Sequence, residues 1–240
     1  VAAGSTLTVS GVLTNAANTT KGLGGTLVFS GRQYFNTAGN YLTLTGGTTV
    51  LTAGDNTLYP GVGNAIGQYL AVSPGAVLDL AGSAQLVGNL RDPNNNAYAG
   101  SGGVITSTSA ALLVARSVQT DNWGGQITGA VSVLHAGAGN YRTFYADNTY
   151  TGRTGVAGIG VKMQDYGRWS QTSAIDINMT DFQVLNNGQV DLADRFNDAA
   201  PITMRGAYFL YQGRMQTASA ETLGPVTVTQ GIADFNVLPG

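Results

Sequence analysis

Three short blocks decide the fold of this chain: Ile175-Asp176-Ile177-Asn178-Met179, Ile202-Thr203-Met204-Arg205-Gly206 and Val226-Thr227-Val228-Thr229-Gln230. Their starts are 27 and 24 residues apart, and each block is followed a few residues later by an aromatic side chain, namely Phe182, Phe209 and Phe235. Alternation of inward and outward side chains is typical of a β-strand that buries one face. A period in the twenties with several short strands predicts one turn of a β-solenoid, whereas a propeller blade needs about 40 residues.

The rest of the chain repeats this pattern between its 35 glycines. The segment Leu70 to Gly82 resembles Phe182 to Asp194, and Asp92 to Gly103 is predicted to be a protruding loop. Further predicted strands include Thr6 to Val9, Thr26 to Phe29, Leu42 to Leu44, Ala76 to Leu80, Ala111 to Val114, Val131 to Leu134 and Gln189 to Leu192. Many short strands also fit a sandwich or a propeller. The internal repetition favours an all-β parallel β-helix with irregular coils of roughly 20–27 residues, forming one domain over residues 1–240.

Composition excludes several classes of protein. Charged residues make up 10% of the chain and the net charge is -2, with no basic stripe, so no nucleic-acid partner is predicted. The absence of Cys excludes disulfides, thiolate metal sites and a Cys nucleophile. No apolar run is long enough for a transmembrane helix. Because the sequence starts at Val1 without a signal peptide, we expect a processed chain or a piece of a longer one.

Several segments carry a family resemblance. They are Asn148-Thr149-Tyr150-Thr151-Gly152, Gly25-Thr26-Leu27-Val28-Phe29-Ser30-Gly31, Ala76-Val77-Leu78-Asp79-Leu80-Ala81-Gly82 and Leu223-Gly224-Pro225-Val226-Thr227-Val228. In their order and number they resemble the autotransporter-associated β-strand repeat proteins of Gram-negative bacteria. The resemblance implies a right-handed parallel β-helix on the outer cell surface or outside the cell. It also implies that any link to the membrane runs through a translocator domain that is not in this chain.

Candidate chemistry is sparse. His135 is the only His, it lies at the end of a predicted strand, and it is interpreted as a turn or surface residue rather than a catalytic one. Carboxylates support an alternative, because β-helix enzymes that cleave polysaccharides use Asp or Glu clusters near Arg. Asp176 and Asp181 are candidates to lie together near Arg205. Other acidic residues nearby are Asp191, Asp194 and Asp198, with Arg195 among them. The position of Asp191 matches Asp79 in the repeat, which favours a structural role.

The predicted function is a structural or adhesive surface module rather than an enzyme. No catalytic residue, cofactor or metal site is predicted, although turn residues such as Asp92 to Asn96 have oxygen ligands of the kind that calcium takes. The candidate interaction surface consists of Tyr166, Trp169, Tyr208 and Tyr211. The alternative interpretation is that these aromatic side chains belong to a stack in the core. Expected partners are other copies of the chain, neighbouring segments of a longer chain, or host or environmental glycans. Open solenoid ends without a capping helix favour self-assembly into filaments or a surface layer.

Overall fold

A computed structural model of the chain describes residues 1–15, 17–35, 41–60, 69–93 and 96–240. These residues form strands and no helix, and parallel sheets stack into a β-solenoid of about 9 turns. The predicted all-β class, parallel pairing and solenoid architecture are therefore confirmed. The strands are β1 Thr6–Val9, β2 Thr14–Asn15, β3 Thr19–Lys21, β4 Thr26–Phe29, β5 Gln33–Phe35, β6 Tyr41–Leu44, β7 Gly47–Leu51, β8 Leu58–Pro60, β9 Tyr69–Val72, β10 Ala76–Asp79, β11 Ala84–Val87, β12 Leu90–Arg91, β13 Val104–Thr106, β14 Ala111–Ser117, β15 Asp121–Trp123, β16 Gln126–Ile127, β17 Val131–Gly137, β18 Tyr141–Phe144, β19 Thr154–Ala157, β20 Gly160–Gln164, β21 Ile175–Asn178, β22 Asp181–Leu185, β23 Ile202–Gln212 and β24 Val226–Leu238.

Each complete coil contributes to three faces. Face 1 contains β1, β4, β7, β10, β13 and β16, in that order. Face 2 runs from β2 through β5, β8, β11, β14, β17, β19 and β21, and face 3 runs from β3 through β6, β9, β12, β15, β18, β20 and β22. The long strands β23 and β24 turn the corner between faces 2 and 3, since β23 pairs with β21 by its first half and with β22 by its second half.

The register confirms the sequence repeat. Ile175 pairs with Ile202 and Ile202 with Val226, while Phe182 pairs with Phe209 and Phe209 with Phe235. Coil length varies along the chain, from 19 residues between Tyr141 and Gly160 to 29 between Thr48 and Val77. This variation is slightly wider than the predicted range, because insertions at the corners leave the paired strands unchanged.

The two similar segments occupy the same phase of the coil. Tyr69–Val72 and Asp181–Leu185 both lie on face 3, each just before the corner that leads to face 1. The prediction of a strand at Gln189 to Leu192 is wrong, since these residues form no strand. Their backbone groups use side chains instead: the Gln189 N–H donates to Asp165 Oδ1 over 2.7 Å, and the Asn186 amide donates to the Leu192 carbonyl over 3.0 Å. The predicted loop before Gly103 is confirmed for residues 96–103.

Inward side chains of successive coils stack to form the core. In the C-terminal coils this core is aromatic, with ring centroids 5.8 Å apart between Phe182 and Phe209 and again between Phe209 and Phe235. Trp169 and Phe196 pack beside Phe182 at 5.4 Å each. Burial of such large side chains contributes about 1.5–3 kcal/mol each to folding, and offset ring pairs add about 0.5–1.5 kcal/mol.

Close contact between coils explains much of the glycine content. A Cβ atom at Gly125 would lie 2.4 Å from the carbonyl oxygen of Gly103 in the preceding coil. A Cβ atom at Gly25 would lie 2.1 Å from the carbonyl oxygen of Ala2. Both glycines stand at the corner that enters face 1, where one coil lies directly against the next, so a side chain there would push the coils apart.

Candidate functional site

The four predicted surface aromatics do not form one surface. Trp169 is fully buried and Tyr211 is nearly so, which contradicts their assignment to an exposed interaction surface. Trp169 lies inside because its parallel bridge with Phe196 continues the inward ladder of face 1. Tyr166 is 54% exposed and Tyr208 is half-buried, so only these two reach solvent. The alternative interpretation, that the late aromatics form a core stack, is correct for Trp169 and Tyr211.

Period-2 alternation in β23 places its aromatic side chains on two different sides. Phe209 and Tyr211 point inward, whereas Tyr208 points outward and accepts a hydrogen bond from the Asn236 amide over 3.1 Å. The Asn186 amide donates to the Tyr211 hydroxyl over 3.2 Å from inside the solenoid. Tyr211 therefore has a polar partner in the core, and its ring is available only at the end of the coil stack.

The predicted carboxylates are separated by their own partners. Asp176 lies between two arginines, with 2.7 Å from its Oδ2 to Arg153 Nη2 and 3.9 Å from its Oδ1 to Arg205 Nη1. Asp181 instead accepts a hydrogen bond from the Tyr141 hydroxyl over 2.9 Å. Asp176 thus reaches Arg205 as predicted, and no described contact brings Asp181 to that arginine.

The remaining residues of that acidic group are also dispersed. Asp191 accepts from Ser219 Oγ over 2.6 Å, and Asp194 and Asp198 are exposed. Arg195 is fully buried, where its guanidinium donates to Asn186 Oδ1 and to the carbonyl oxygen of Gly167. These acidic residues therefore form no common site. The alternative of a polysaccharide-cleaving enzyme stays a prediction.

The interpretation of His135 as a turn or surface residue is wrong. His135 is fully buried in β17, where the alternation of Val131 and Val133 continues inward. Its ring stacks on Trp169 with centroids 5.5 Å apart and an interplanar angle of 8°, and it meets the edge of Phe144 at 5.0 Å. β17 continues three residues past the predicted end at Leu134. His135 is therefore a core residue and not a corner residue.

Arg142 is the centre of a buried polar cluster around His135. Its guanidinium donates to Asp121 Oδ2 over 3.0 Å, to His135 Nδ1 over 3.0 Å and to the Ala115 carbonyl over 3.1 Å. Because a guanidinium only donates, Nδ1 of His135 is the acceptor and the ring proton is on Nε2. Burial, together with the adjacent Arg142 charge, holds the pKa of His135 well below its usual value. Burial also raises the pKa of Asp121, against the attraction of Arg142.

Sequence reasoning missed this cluster, although a signal was present. Trp123 and Phe144 are large apolar residues, and Asp121 and Arg142 stand two positions before them in the paired strands β15 and β18. Period-2 alternation then places Asp121 and Arg142 on the inward side. A buried charge needs a partner, and opposite charges at one rung provide it.

One edge of the described coil stack is formed by β24. In the described structure β24 pairs with β23, and its inward residues have no further coil over them. Val237 is 72% exposed, and Phe235 and Val228 are also exposed, although their counterparts one coil earlier are buried. An exposed strand edge with exposed apolar side chains is the usual template for pairing with another chain.

A cleft of about 270 Å³ lies in this open end. It is lined by Phe209, Tyr211, Glu221, Leu223, Phe235 and Val237. Glu221 is the only acidic group in this lining, and its carboxylate accepts hydrogen bonds from the backbone N–H groups of Arg195 and Phe196 over 3.0–3.2 Å. Burial raises the pKa of Glu221 to about 7 despite these donors and the nearby Arg195 charge.

The first described coil differs from the last one in polarity. Leu7 is 51% exposed on the free edge of β1, whereas Lys21 closes the core under face 3. The Lys21 ammonium donates to the carbonyl oxygens of Leu23, Gly25 and Gly46, and burial lowers its pKa. Residues 1–54 contain two basic and no acidic residues, while residues 215–240 contain two acidic and no basic residues.

Two other clefts lie on the sides of the solenoid. One of about 260 Å³ is at the corner between faces 2 and 3, beside Met179 and Arg205. The other, of about 320 Å³, is lined by glycine backbone, Gln126, Asp147 and Tyr166. Asp147 in that cleft is held by Arg168 at 2.8 Å and by Ser170 at 2.7 Å. Neither cleft is lined by two carboxylates.

Within the described ranges, no three His, Asp or Glu residues lie in a group that could hold a metal ion. In the turn Asp92 to Asn96, Asn94 and Asn95 lie outside the described residues. Asp92 itself is buried and accepts from the Gly124 N–H and the Ser101 hydroxyl. No helix in the described part of the chain is long and apolar enough to cross a membrane.

Comparison with known proteins adds no relative. No protein-family model matches the chain, and no curated protein and no solved structure matches it either.

Proposed function

We propose that this chain is a structural or adhesive module of the outer cell surface of a Gram-negative bacterium, and that it acts by extending a β-solenoid end to end. The single observation that supports this most is the edge of β24, where Phe235 and Val237 are exposed at positions that a further coil, from a longer chain or from a second copy, would cover. A solenoid of this kind presents long side faces to the outside while its backbone groups are paired between coils. The proposed role on the cell surface rests on the family resemblance and on the low charge of the chain.

Pairing of unlike ends determines the kind of assembly. A head-to-tail contact joins two different surfaces of successive copies. It builds a filament, unless the rotation between copies closes the assembly into a ring. Each added module also removes two exposed edges from water, and apolar burial stabilises the contact by about 25 cal/mol per Å². The predicted partners are therefore other copies of the chain or neighbouring solenoid segments.

Sedimentation velocity of the 240-residue chain tests this proposal, with two matched Lys variants. Val237→Lys places a charge on the inward side of the terminal coil, whereas Thr227→Lys places the same charge on the outward side of that coil. Both residues are exposed, so we expect both variants to fold. The expected result is a series of linear oligomers for wild type and Thr227→Lys, and a monomer for Val237→Lys. Oligomers that persist in Val237→Lys, or a wild type that stays monomeric at all concentrations, would contradict the proposal.

A second candidate function is glycan binding without catalysis. It is favoured by the 320 Å³ cleft, where the exposed ring of Tyr166 lies beside Asp147 and Gln126. An aromatic ring with neighbouring polar groups is the usual arrangement for docking a sugar. A glycan array would test it: hits that disappear in Tyr166→Ala but remain in Tyr208→Ala support this site, and an array without hits removes the candidate.

A further inference from the structure

A strip of tyrosines and cations runs along the outer side of face 3, on the strands β6, β9, β12, β15, β18 and β20. Asp121 is the only acidic residue in these strands, and it points into the core. The outward side of the strip therefore carries two positive charges and no negative one. Its five largest side chains are partly exposed, namely Tyr41, Tyr69, Arg91, Tyr141 and Lys162.

The first cation of the strip, Arg91, lies across two tyrosine rings. Its Cζ is 4.6 Å from the ring centroid of Tyr41 and 5.3 Å from that of Tyr69. The two rings meet edge to face, with centroids 4.9 Å apart and an interplanar angle of 70°. A cation–π contact fixes the position of a guanidinium and leaves its charge uncompensated by a carboxylate.

The second cation, Lys162, is held in the same way. Its Nζ is 3.9 Å from the ring centroid of Tyr141. The Tyr141 ring is fixed in turn, because its hydroxyl donates to Asp181 Oδ2 over 2.9 Å and accepts from the Gln183 amide over 3.0 Å. Asp181 lies one coil beyond the strip and has no ion pair with Lys162 among the described contacts.

These aromatic partners distinguish the strip from other charged positions on the surface. Three arginines elsewhere, Arg153, Arg168 and Arg205, have an Asp oxygen within 4.0 Å. No described carboxylate is that close to Arg91 or Lys162. The strip therefore presents positioned cations that can still pair with an anion.

The distance between the two cations indicates a polymeric ligand. The rung of Arg91 is followed by those of Asn122, Thr143 and Lys162, so the two cations are three coils apart. At about 4.8 Å per coil this separation is about 14 Å, which one small anion does not span. An acidic chain that lies along the solenoid axis contacts both.

The strip favours a polysaccharide over an acidic peptide. Peptides that bind through their main chain need a free strand edge, whereas these strands lie inside a continuous coil stack. Tyr141 lies between the rungs of Arg91 and Lys162, and a tyrosine presents an apolar ring and a polar end, which suits the apolar faces and hydroxyl groups of a sugar.

We propose that the strip on face 3 binds an acidic polysaccharide, with carboxylates on Arg91 and Lys162 and a sugar ring against Tyr141 between them. The inference rests on the proposed adhesive function and names the chemical class of its ligand. The strip shares no residue with the cleft at Tyr166, which contains Asp147.

The experiment is isothermal titration calorimetry with a galacturonic acid oligomer long enough to span both cations. Its methyl ester is the matched ligand, because it has the same sugar rings without the charges. An exposed ion pair contributes up to about fivefold in affinity, so Arg91→Gln and Lys162→Gln should each raise Kd about fivefold. The methyl ester, which loses both pairs, should bind about 25-fold more weakly than the acid.

Two controls separate this site from general attraction between opposite charges. Arg116→Gln removes the same charge from an exposed outward position on face 2, and it should keep the wild-type Kd. Polyglutamate tests a polyanion without sugar rings, and it should bind more weakly than the galacturonic acid oligomer. Raising the ionic strength from about 0.01 M to about 0.15 M should weaken binding of the oligomer, since the Debye length falls from about 30 Å to about 8 Å.

Several results would overturn the inference. They are a wild type that does not bind the oligomer, equal Kd values for the acid and its methyl ester, equal losses in Arg116→Gln and Lys162→Gln, and polyglutamate that binds as tightly as the oligomer. Circular dichroism checks the fold of each variant, and Lys162→Gln decides alone if Arg91→Gln does not fold.

Failure of this inference is distinguishable from failure of end-to-end assembly. Val237 is not in the strip, so Val237→Lys should bind the oligomer with the wild-type Kd whatever its sedimentation shows. Oligomers of wild type without oligomer binding overturn only the strip as a binding site. Oligosaccharide binding by a wild type that stays monomeric overturns only the assembly.

Discussion

Replacement of Arg142 by Met should destabilise the chain severely. The guanidinium is fully buried, and it donates to Asp121, to His135 and to the Ala115 carbonyl. Its removal leaves the Asp121 carboxylate buried without its counter-charge. Breaking such a pair costs about 3–5 kcal/mol, which is a large part of the 5–15 kcal/mol that stabilises a typical domain. For a chain of this size the loss corresponds to a decrease of about 6–20 °C in Tm.

A second substitution distinguishes a lost charge pair from lost packing. In the double variant Asp121→Leu/Arg142→Met both charges of this pair are removed, so stability should recover by about 2 kcal/mol or more relative to Arg142→Met alone. Arg153→Met is the surface control, because its ion pair with Asp176 is even shorter, at 2.7 Å against 3.0 Å for Arg142 and Asp121, but the Arg153 side chain is 64% exposed. That substitution should cost less than about 1 kcal/mol.

Thermal and guanidinium unfolding followed by circular dichroism would measure all four proteins. The assignment of Arg142 to a buried ion pair would be refuted if Arg142→Met lost less than about 1 kcal/mol, or if the double variant were no more stable than the single one. Equal losses in Arg142→Met and Arg153→Met would lead to the same conclusion.

Three other predictions concern the same core and coil contacts. Because the pKa of His135 is lowered in the folded chain, the unfolded chain takes up a proton below about pH 6.5 that the folded chain does not. The free energy of unfolding should therefore fall with decreasing pH by up to about 1.4 kcal/mol per pH unit. Denaturant titrations of wild type and His135→Gln at pH 5.5 and 7.5 isolate this loss, and an equal change in stability between the two pH values in both proteins would contradict it. Gly125→Ala should lower Tm clearly, because its Cβ would lie 2.4 Å from the carbonyl oxygen of Gly103. Gly11→Ala is the control and should change Tm little, since its Cβ meets nothing within 4 Å. Similar Tm values for both variants would show that the coils can separate at no cost. Phe182→Ala removes the centre of the aromatic stack and should cost about 3–5 kcal/mol in urea unfolding, so a cost below about 1 kcal/mol would mean that the stack is loosely packed.

Repetition made the architecture predictable. The blocks that begin at Ile175, Ile202 and Val226 are similar because they stack on one another, and stacked positions face the same environment. The period-2 alternation within each block gives the inward side without any knowledge of the partner strand. Sequence alone therefore reaches the solenoid and most of its inward residues in the C-terminal coils.

Prediction from neighbouring residues in the sequence failed where contacts between different coils determine whether a side chain is buried. His135 was assigned to a corner because Ala136-Gly137 looks like a turn, yet β17 continues to Gly137 and keeps His135 inside. The ion pair of Asp121 and Arg142 depends on the register between coils that are 21 residues apart. Trp169 lies outside the named strands, so no alternation indicated its direction, and its burial follows from the bridge to Phe196.

The open C-terminal end could not be read from the sequence either. Glu221 is the only Glu in the chain, but its environment is built by β23, β24 and the segment between them. The alternation of β23 showed that Phe209 and Tyr211 share a side, and only the coil stack shows that this side ends in an apolar cleft. The raised pKa of Glu221 is likewise a property of that cleft rather than of the residue's neighbours in sequence.

Negative-stain electron microscopy of the purified chain tests the proposed end-to-end assembly most directly. About nine coils at a spacing of about 4.8 Å give an axial length of about 43 Å per copy. The account predicts unbranched filaments with an axial repeat near this length, which are lost in Val237→Lys. Uniform single rods at every concentration, or lateral aggregates without that repeat, would contradict it.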